Sequence, residues 1–425
     1  GTRIVRLDQP AGSFAKTLLE VQVYPDLRQW PGGPPKRPYD IAGHTLPIQM
    51  GVRAVQVDRP LADAPPLRVL EPIPPWSAEI EPTSDRNAWA IDARANASVR
   101  ALNALHKADV PVARERVRGA GLHAGDYLVM ASDRSAAEMS ALARSTGASI
   151  REVRLDADLP KRLQSPVRLG LYQPWTACID EGWARWVLEE YGTPYTTLRN
   201  ADIRQGNLRD RFDALVIPEM TPDAVLHGRG EKTREKDPYP VEYQGGLGES
   251  GMEALRRFVD AGGTLIAIDR ATRAIIDGLA LPVRNPLRPL KDDAFYCPGS
   301  LLRVVMDTGH PLGLGLPRDT SVLFMNSMVF EGTSGDTTLV GKYPIGDPNL
   351  SGWILGSEHL EGKGALAEVS YGDGRVVLIG FRPYFRAQTR GTYRVFFNAI
   401  ARAGLADGEG DAAAASREID ERNET

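Results

Sequence analysis

The order of apolar and polar positions predicts alternating strands and helices over the second half of the chain. Four short apolar runs have the length of buried strands, at 167–172, 214–218, 264–268 and 376–379. Apolar residues at helical spacing occupy the segments at 179–191, 249–261 and 392–403. Because strands that alternate with helices form parallel sheets covered on both faces, residues 164–404 are predicted to form a doubly wound α/β domain with a mostly parallel sheet.

The first 163 residues have a different pattern. Residues 61–163 are predicted to form a smaller α+β domain, with strands at 89–91, 111–117 and 127–130 and helices at 95–106 and 135–145. Residues 1–60 are predicted to contain a strand at 4–7, a helix carrying Phe14, Leu18 and Val21 on one face, and a Pro-rich segment. That segment, residues 24–47, has too many Pro and Gly for a helix or a continuous strand. Its aromatic residues suggest that it is fixed against a surface.

Composition and charge narrow the class of protein. The chain has 425 residues, of which 42% are hydrophobic and 25% are charged, as in ordinary globular proteins. From residue 405 onward there are seven acidic residues and two arginines, so residues 405–425 are predicted to be a disordered acidic tail. The rest of the chain then has a formal charge of +1, so no nucleic-acid partner is predicted. No apolar run reaches the roughly 18 residues of a membrane span, so no membrane partner is predicted either. The chain starts with Gly1 rather than Met, and we expect it to be part of a longer protein.

No metal site is predicted in this chain. Its six histidines occur in neither an H-E-x-x-H nor an H-x-x-E pattern, the spacings that place zinc ligands together on a helix. The two cysteines, Cys178 and Cys297, are too few for a cysteine zinc site. They form either one disulfide bridge or two free thiols, and the sequence leaves both possibilities open.

One strand-to-helix turn is a candidate position for a catalytic group. Asp269 follows the strand at 264–268 directly, where a sharp turn lifts a side chain above the edge of a sheet. A carboxylate at such a turn is a nucleophile only in an activating environment. The alternative, which we favour, is that Asp269 caps the helix that follows.

Two further groups are candidates at the same sheet edge. Asp180 and Glu181 open the helix after the first strand and are candidate acid/base partners of Asp269, while Trp175 and Trp183 are candidate stacking residues. Trp183 also fits a helix packed on the sheet.

The loop after the last long strand supplies the other binding candidates, namely Arg382, Tyr384 and Arg386. Its arginines suit a carboxylate ligand or, alternatively, salt bridges to Asp180, Glu181 or Asp269.

Residues 167–403 resemble the class I glutamine amidotransferase-like fold at two motifs. In active members, G-G-x-L-x-x-x-C carries the catalytic cysteine and G-F-H-P carries the histidine. The matching stretches here are GGTLIAID at 262–269 and GFRPYF at 380–385. Asp269 stands at the cysteine position and Arg382 at the histidine position. Because arginine stays protonated, it cannot exchange a proton as the histidine does. The resemblance therefore implies the fold without the amidotransferase chemistry.

A second resemblance covers nearly the whole chain. The runs "QVYPDLRQWPGGPPKRPYDIAGHTLP", "LGLYQPWTACIDEGWARWVLEEYGTPYTTL", "FYCPGSLLRV" and "GFRPYFRAQTRGTYRVFFNAI" are similar to the C-terminal portion of bacterial zinc carboxypeptidase-family proteins. In that family a carboxypeptidase A-like domain comes first, usually behind a secretion signal. The resemblance implies a secreted or periplasmic protein. It also implies a partner peptidase domain, in cis or on a separate chain, with zinc only in that domain.

Three functional hypotheses follow. The first is a non-catalytic accessory region that packs on or gates the peptidase domain, with residues 24–47 as the contact. The second is a hydrolase that uses Asp269 with Asp180 or Glu181, which requires converging carboxyl groups and is excluded by a salt bridge between Asp269 and Arg382. The third is a glycan- or peptide-binding module, which requires an aromatic cleft around Trp175, Trp183 and Tyr384.

Overall fold

The computed structural model describes residues 3–59, 86–114, 121–155, 162–228 and 240–405. The strands of these residues are β1 (Ala88–Ile91), β2 (Ala113–Arg114), β3 (Tyr127–Met130), β4 (Ile150–Val153), β5 (Arg162–Leu163), β6 (Leu169–Tyr172), β7 (Thr196–Leu198), β8 (Ala214–Ile217), β9 (Thr264–Ile268), β10 (Val283–Arg284), β11 (Pro298–Met306), β12 (Asp319–Met325), β13 (Glu331–Gly332), β14 (Thr337–Lys342), β15 (Asn349–Ser351), β16 (Gly364–Tyr371) and β17 (Gly374–Ile379). The α-helices are α1 (Gly12–Leu19), α2 (Leu46–Met50), α3 (Ala97–Lys107), α4 (Ala136–Thr146), α5 (Ile179–Glu190), α6 (Asn200–Arg204), α7 (Leu208–Arg211), α8 (Pro222–Leu226), α9 (Gly248–Asp260), α10 (Ala271–Leu279) and α11 (Tyr393–Arg402).

A ten-stranded sheet forms the centre of the α/β unit. Its main path runs β12-β11-β14-β16-β17-β9-β8-β6-β7, and β15 pairs with β11. The four pairs that join β7, β6, β8, β9 and β17 are parallel. Residues of β9 alternate between two buried clusters, one containing Ile266 and Ile268 and the other Leu265 and Ala267. Helices therefore cover both faces here, with α5 and α11 on one face and α9 and α10 on the other.

The remaining half of this sheet corrects the prediction of a doubly wound, mostly parallel sheet. Strands β17, β16, β14, β11, β12 and β15 pair antiparallel. No α-helix occurs between α10 and α11, so turns, loops and short 3-10 segments join these strands instead of the crossover helices that parallel pairing commonly uses. The fold is accordingly a mixed α/β sheet.

A small antiparallel sheet in the order β4-β1-β3-β2-β5, packed with α3 and α4, forms the α+β unit before it. Here the elements expected at 89–91, 95–106, 127–130 and 135–145 are present to within two residues. The strand expected at 111–117 is observed at 113–114, and residues 115–117 of that prediction lie outside the described residues. The predicted acidic tail lies outside them as well, apart from Leu405.

The N-terminal segment, which we define as residues 3–59, lies on the edge of the large sheet. The predicted helix is present as α1, but residues 4–7 form no strand, since no strand of the described residues pairs with them. The amides of Ala42 and Gly43 donate to the carbonyl of Gly299, at 2.8 and 2.9 Å. Ile41 and Ile48 pack against a buried cluster of the large sheet. The Pro-rich segment is thus seated on the chain's own α/β unit.

Candidate functional site

Four neighbouring parallel strands each place one charged residue at the same edge of the large sheet. Asp180 follows β6, Glu219 follows β8, Asp269 follows β9 and Arg382 follows β17. Because the carboxyl ends of parallel strands meet at one edge, residues far apart in sequence converge there. We call these four residues the edge cluster. Each of them is at most 7% exposed.

Arg382 is the centre of the edge cluster. Its Nε lies 3.3 Å from Oδ2 of Asp269, its Nη1 3.3 Å from Oδ2 of Asp180, and its Nη2 3.4 Å from Oε2 of Glu219. The guanidinium thus directs one nitrogen at each carboxylate. Arg270 forms a second ion pair with Glu219. Three carboxylates therefore share two guanidinium groups.

Asp269 sits on the sharp turn between β9 and α10 that the sequence predicts. Its φ is 49°, in the left-handed region that non-glycine residues seldom adopt. Its Oδ2 accepts a hydrogen bond from Ser327 Oγ at 3.0 Å, besides the contact with Arg382. The backbone carbonyl of Asp269, rather than its side chain, accepts from the amide of Thr272 in α10. The favoured capping role for this carboxylate is therefore wrong.

Burial controls the protonation of the edge cluster. Desolvation raises the pKa of Asp269 to about 7 and the pKa of Asp180 to about 6, although Arg382 opposes both shifts. One oxygen of each, Oδ1, is buried without a hydrogen-bond partner among the described residues. Burial also raises the pKa of the neighbouring Cys178 thiol to about 12, so the thiol is protonated and unreactive at neutral pH.

The hydrolase hypothesis fails its own criterion in this geometry. Asp269 is fully buried and ion-paired to Arg382, the outcome that excludes it as a nucleophile. Asp180 and Glu181 point to different partners, since Glu181 pairs with Arg185 on the next turn of α5 while Asp180 pairs with Arg382. In the edge cluster, each of the three carboxylates therefore contacts the guanidinium of Arg382.

The aromatic candidates do not form one cleft. Tyr384 is 1% exposed, and its ring lies edge-on against Phe396, with 4.9 Å between the ring centroids, so its ring packs in the interior. Trp183 is half-buried against the core of the α/β unit, as in the packing alternative. Trp175 is also half-buried, and its ring contacts Tyr243 at 4.5 Å.

Arg386 lies near the edge cluster in sequence but belongs to another contact. Its two terminal nitrogens each lie 2.7 Å from an oxygen of Asp40, which joins the N-terminal segment to the loop after β17. Arg386 was expected to bind the carboxylate of a ligand, and it binds the carboxylate of Asp40 in the same chain. Both cysteines are free, with Cys297 buried and Cys178 half-buried, which settles the alternative that the sequence left open.

Sequence reasoning missed Glu219, Arg270 and Ser327. The sequence did contain a signal for Glu219, because Glu219 follows the buried strand β8 much as Asp269 follows β9. Arg270 stands directly after the turn residue that was considered. Ser327 had no such signal, because it lies after an antiparallel strand, β12, whose place in the sheet the sequence does not reveal.

No protein-family model and no curated protein matches the chain. Among solved structures, it is similar to the cytoplasmic protein STM3548 from Salmonella typhimurium, at 12% identity over 57% of this chain and 100% of that one, with a TM-score of 0.35. It is also similar to a protein described as ThuA-like from Bacteroides uniformis, at 11% identity over 60% of this chain and 96% of that one, with a TM-score of 0.33. A third is a protein from Thermoplasma acidophilum described as one component of a GMP synthase, at 14% identity over 60% and 98% of the two chains, with a TM-score of 0.35. Similarity at this level does not indicate the activity of this chain.

Three further properties concern the described residues alone. Their histidine, cysteine and acidic side chains form no group suited to hold a metal ion. In the edge cluster, the space between the carboxylates is taken by the guanidinium of Arg382. Among the helices of these residues, none has the length and apolar character needed to span a bilayer.

Proposed function

We propose that this chain is a non-catalytic accessory region that binds a carboxypeptidase A-like domain through its N-terminal segment. One observation carries the proposal. Of the 18 large hydrophobic side chains that are exposed in the described part of the chain, 13 belong to the N-terminal segment. That segment supplies only 57 of the 354 described residues. Exposed apolar side chains concentrated in one segment are typical of a protein-binding surface.

The N-terminal segment is suited to present these side chains because its inner side is fixed. Besides the bonds to Gly299, the backbone of Val23 forms a parallel bridge with Gly352, and Thr45 Oγ1 lies 2.9 Å from Ser351 Oγ. Trp30 and Tyr39 meanwhile remain 58% and 106% exposed. A preorganised surface loses less conformational entropy on binding, which favours affinity.

The edge cluster supports the non-catalytic part of the proposal. At the turn where active amidotransferases carry a nucleophile, this chain has a carboxylate neutralised by Arg382. We also propose that the α/β unit descends from proteins with the glutamine amidotransferase-like fold and retains that fold. The identity of the partner, in cis or on a separate chain, and a secreted or periplasmic location rest on the resemblance to zinc carboxypeptidase-family proteins.

The test is a binding measurement between this chain and the carboxypeptidase A-like domain encoded with it. Isothermal titration should give a 1:1 complex, and Trp30→Ala combined with Tyr39→Ala should weaken it by at least about 30-fold, as expected for buried aromatic anchors. The matched control is Trp186→Ala, a tryptophan on α5 that is 36% exposed. Equal affinity of the double variant and the unmodified chain would contradict the proposal.

A further inference from the structure

A cavity lies where the three parts of the chain meet. Its volume is about 590 Å³, and residues from the N-terminal segment, the α+β unit and the α/β unit line it. Cavities of this size hold small organic ligands. The edge cluster is not among its lining residues, so it is separate from the candidate site described above.

The cavity is lined by five arginines and one acidic residue. The arginines are Arg53, Arg94, Arg303, Arg390 and Arg394, and the acid is Asp319. Arg94 is paired with Asp92 at 2.6 Å. Within the described ranges, Arg53, Arg303, Arg390 and Arg394 form no ion pair. Such an excess of unpaired guanidinium groups around one cavity favours an anion.

Arg394 provides the strongest evidence that this cavity binds a ligand, because it is a buried cation with unused hydrogen-bond donors. It is 2% exposed, and its Nη2 donates to the carbonyl of Ala95 at 2.6 Å and to Ser98 Oγ at 2.8 Å. Its Nε and Nη1 are buried and have no hydrogen-bond partner among the described residues. A buried cation with unused donors is costly unless an anion accompanies it. Burial, with the like charge of Arg114 nearby, lowers the pKa of Arg394, which is the direction expected for a cation that lacks its counter-charge.

The remaining walls indicate the type of anion. Ile48, Met50, Leu316 and Leu350 line the cavity together with the arginines. Arg303 and Arg390 are exposed at its rim, whereas Arg394 is buried. The first turn of α11 contributes Arg394, and the positive end of a helix dipole adds to the attraction of a negative group.

We propose that this cavity binds a small organic polyanion, whose carboxylate or phosphate groups pair with Arg394 inside and with Arg303 and Arg390 at the rim. The guanidinium fork fits both kinds of oxyanion bidentately. The apolar walls contact the carbon skeleton of the ligand. This inference does not rest on the proposed function, since Trp30 and Tyr39, the anchors tested there, are not among the lining residues of the cavity.

The experiment is calorimetric titration of the full chain with citrate and, separately, with pyrophosphate, each at an ionic strength held constant with sodium chloride. Binding of citrate alone identifies a carboxylate ligand, and binding of pyrophosphate alone identifies a phosphate ligand. Either result supports the proposal, and so does binding of both. Arg303→Gln and Arg390→Gln should each raise the Kd at least about tenfold, because each removes a charge-assisted contact.

The control is Arg144→Gln, an exposed arginine on α4 outside the cavity, which should leave the Kd unchanged. Arg394→Gln should abolish binding, and if that variant does not fold, the two rim variants still decide. The proposal is overturned if neither anion binds the unmodified chain, or if both rim variants bind like the unmodified chain.

Discussion

At the scale of single residues, the edge cluster joins the turn after β9 to the loop after β17 by a buried ion pair. Asp269 keeps the turn that follows β9, with its positive φ, but its carboxylate is directed at Arg382 and Ser327. A positively charged, permanently protonated side chain then fixes the carboxylate as an ion-pair partner. The turn with its positive φ therefore holds the Asp269 carboxylate in a buried contact with Arg382 and Ser327.

Removing Arg382 should destabilise the protein strongly. Arg382→Met leaves three buried carboxylates with only Arg270 as a cation, and breaking a buried ion pair from one side typically costs about 3–5 kcal/mol. Urea unfolding at pH 8 measures this loss. Arg386→Met is the matched control, because the Arg386–Asp40 pair is about half exposed and should contribute less than about 1 kcal/mol. Equal effects of the two variants would contradict the central role of Arg382.

The raised carboxyl pKa values predict a pH-dependent stability. Asp269 titrates near pH 7 in the folded protein and near pH 4 when unfolded, so between these values the folded state binds more protons. The free energy of unfolding should therefore fall as pH rises from about 4 to about 7. Asp269→Asn should remove part of this slope, so its stability relative to the unmodified protein should be higher at pH 7.5 than at pH 5.

The control for this pH series is Asp213→Asn. Hydrogen bonds from Arg168 hold the pKa of Asp213 well below its usual range, so this carboxyl is ionised at both pH values. The stability difference caused by Asp213→Asn should therefore be the same at pH 5 and pH 7.5. A pH-independent difference for Asp269→Asn as well would show that Asp269 does not titrate in this window.

At the scale of elements, the attachment of the N-terminal segment depends on a close backbone approach. Gly299, at the start of β11, has a φ of +126°, and a Cβ atom there would lie 2.6 Å from Cγ2 of Ile41. Glycine is required both by this conformation and by the contact. The carbonyl of Gly299 can therefore accept the amides of Ala42 and Gly43.

Gly299→Ala should detach this part of the N-terminal segment. The added methyl group forces the backbone and Ile41 apart, so the amides of Ala42 and Gly43 should exchange with solvent at least about tenfold faster, which corresponds to a loss of about 1.4 kcal/mol or more of local stability. Hydrogen exchange with mass spectrometry measures this. Gly335→Ala is the control, because a Cβ atom at Gly335 meets no atom within 4 Å. Unchanged exchange at residues 42–43 would contradict this account.

At the scale of the whole molecule, Asn398 of α11 connects the α+β unit to the turn between β11 and β12 of the α/β unit. Its Nδ2 donates to the carbonyls of Leu312 and Leu314, both at 2.9 Å, and its Oδ1 accepts from Arg114 Nη2 at 2.5 Å. Asn398 and Arg114 are each at most 1% exposed. The units are therefore joined by a buried polar network as well as by apolar packing.

Asn398→Leu should lower the free energy of unfolding by about 3 kcal/mol or more. The carbonyls of Leu312 and Leu314 and Nη2 of Arg114 each lose their partner in this variant. Each buried polar group left unsatisfied costs about 1–3 kcal/mol. Chemical denaturation measures the loss. Asn96→Ala removes a single, partly exposed bond to the carbonyl of Arg390 and should cost less than about 1 kcal/mol. A loss below that value for Asn398→Leu would exclude Asn398 as a joint between the units.

The chain's local pattern was sufficient to predict most helices and parallel strands, because their periodicity depends on residues close in sequence. The sequence also indicated Asp269 and Arg382 as candidate site residues, and a salt bridge between them was one of the two interpretations given for the arginines of that loop. Tertiary structure decided the rest. The antiparallel half of the sheet, the meeting of Asp180, Glu219, Asp269 and Arg382 at one edge, and the arginine-lined cavity all depend on contacts between distant segments. Strand pairing sets these contacts, and local periodicity does not specify which strands become neighbours.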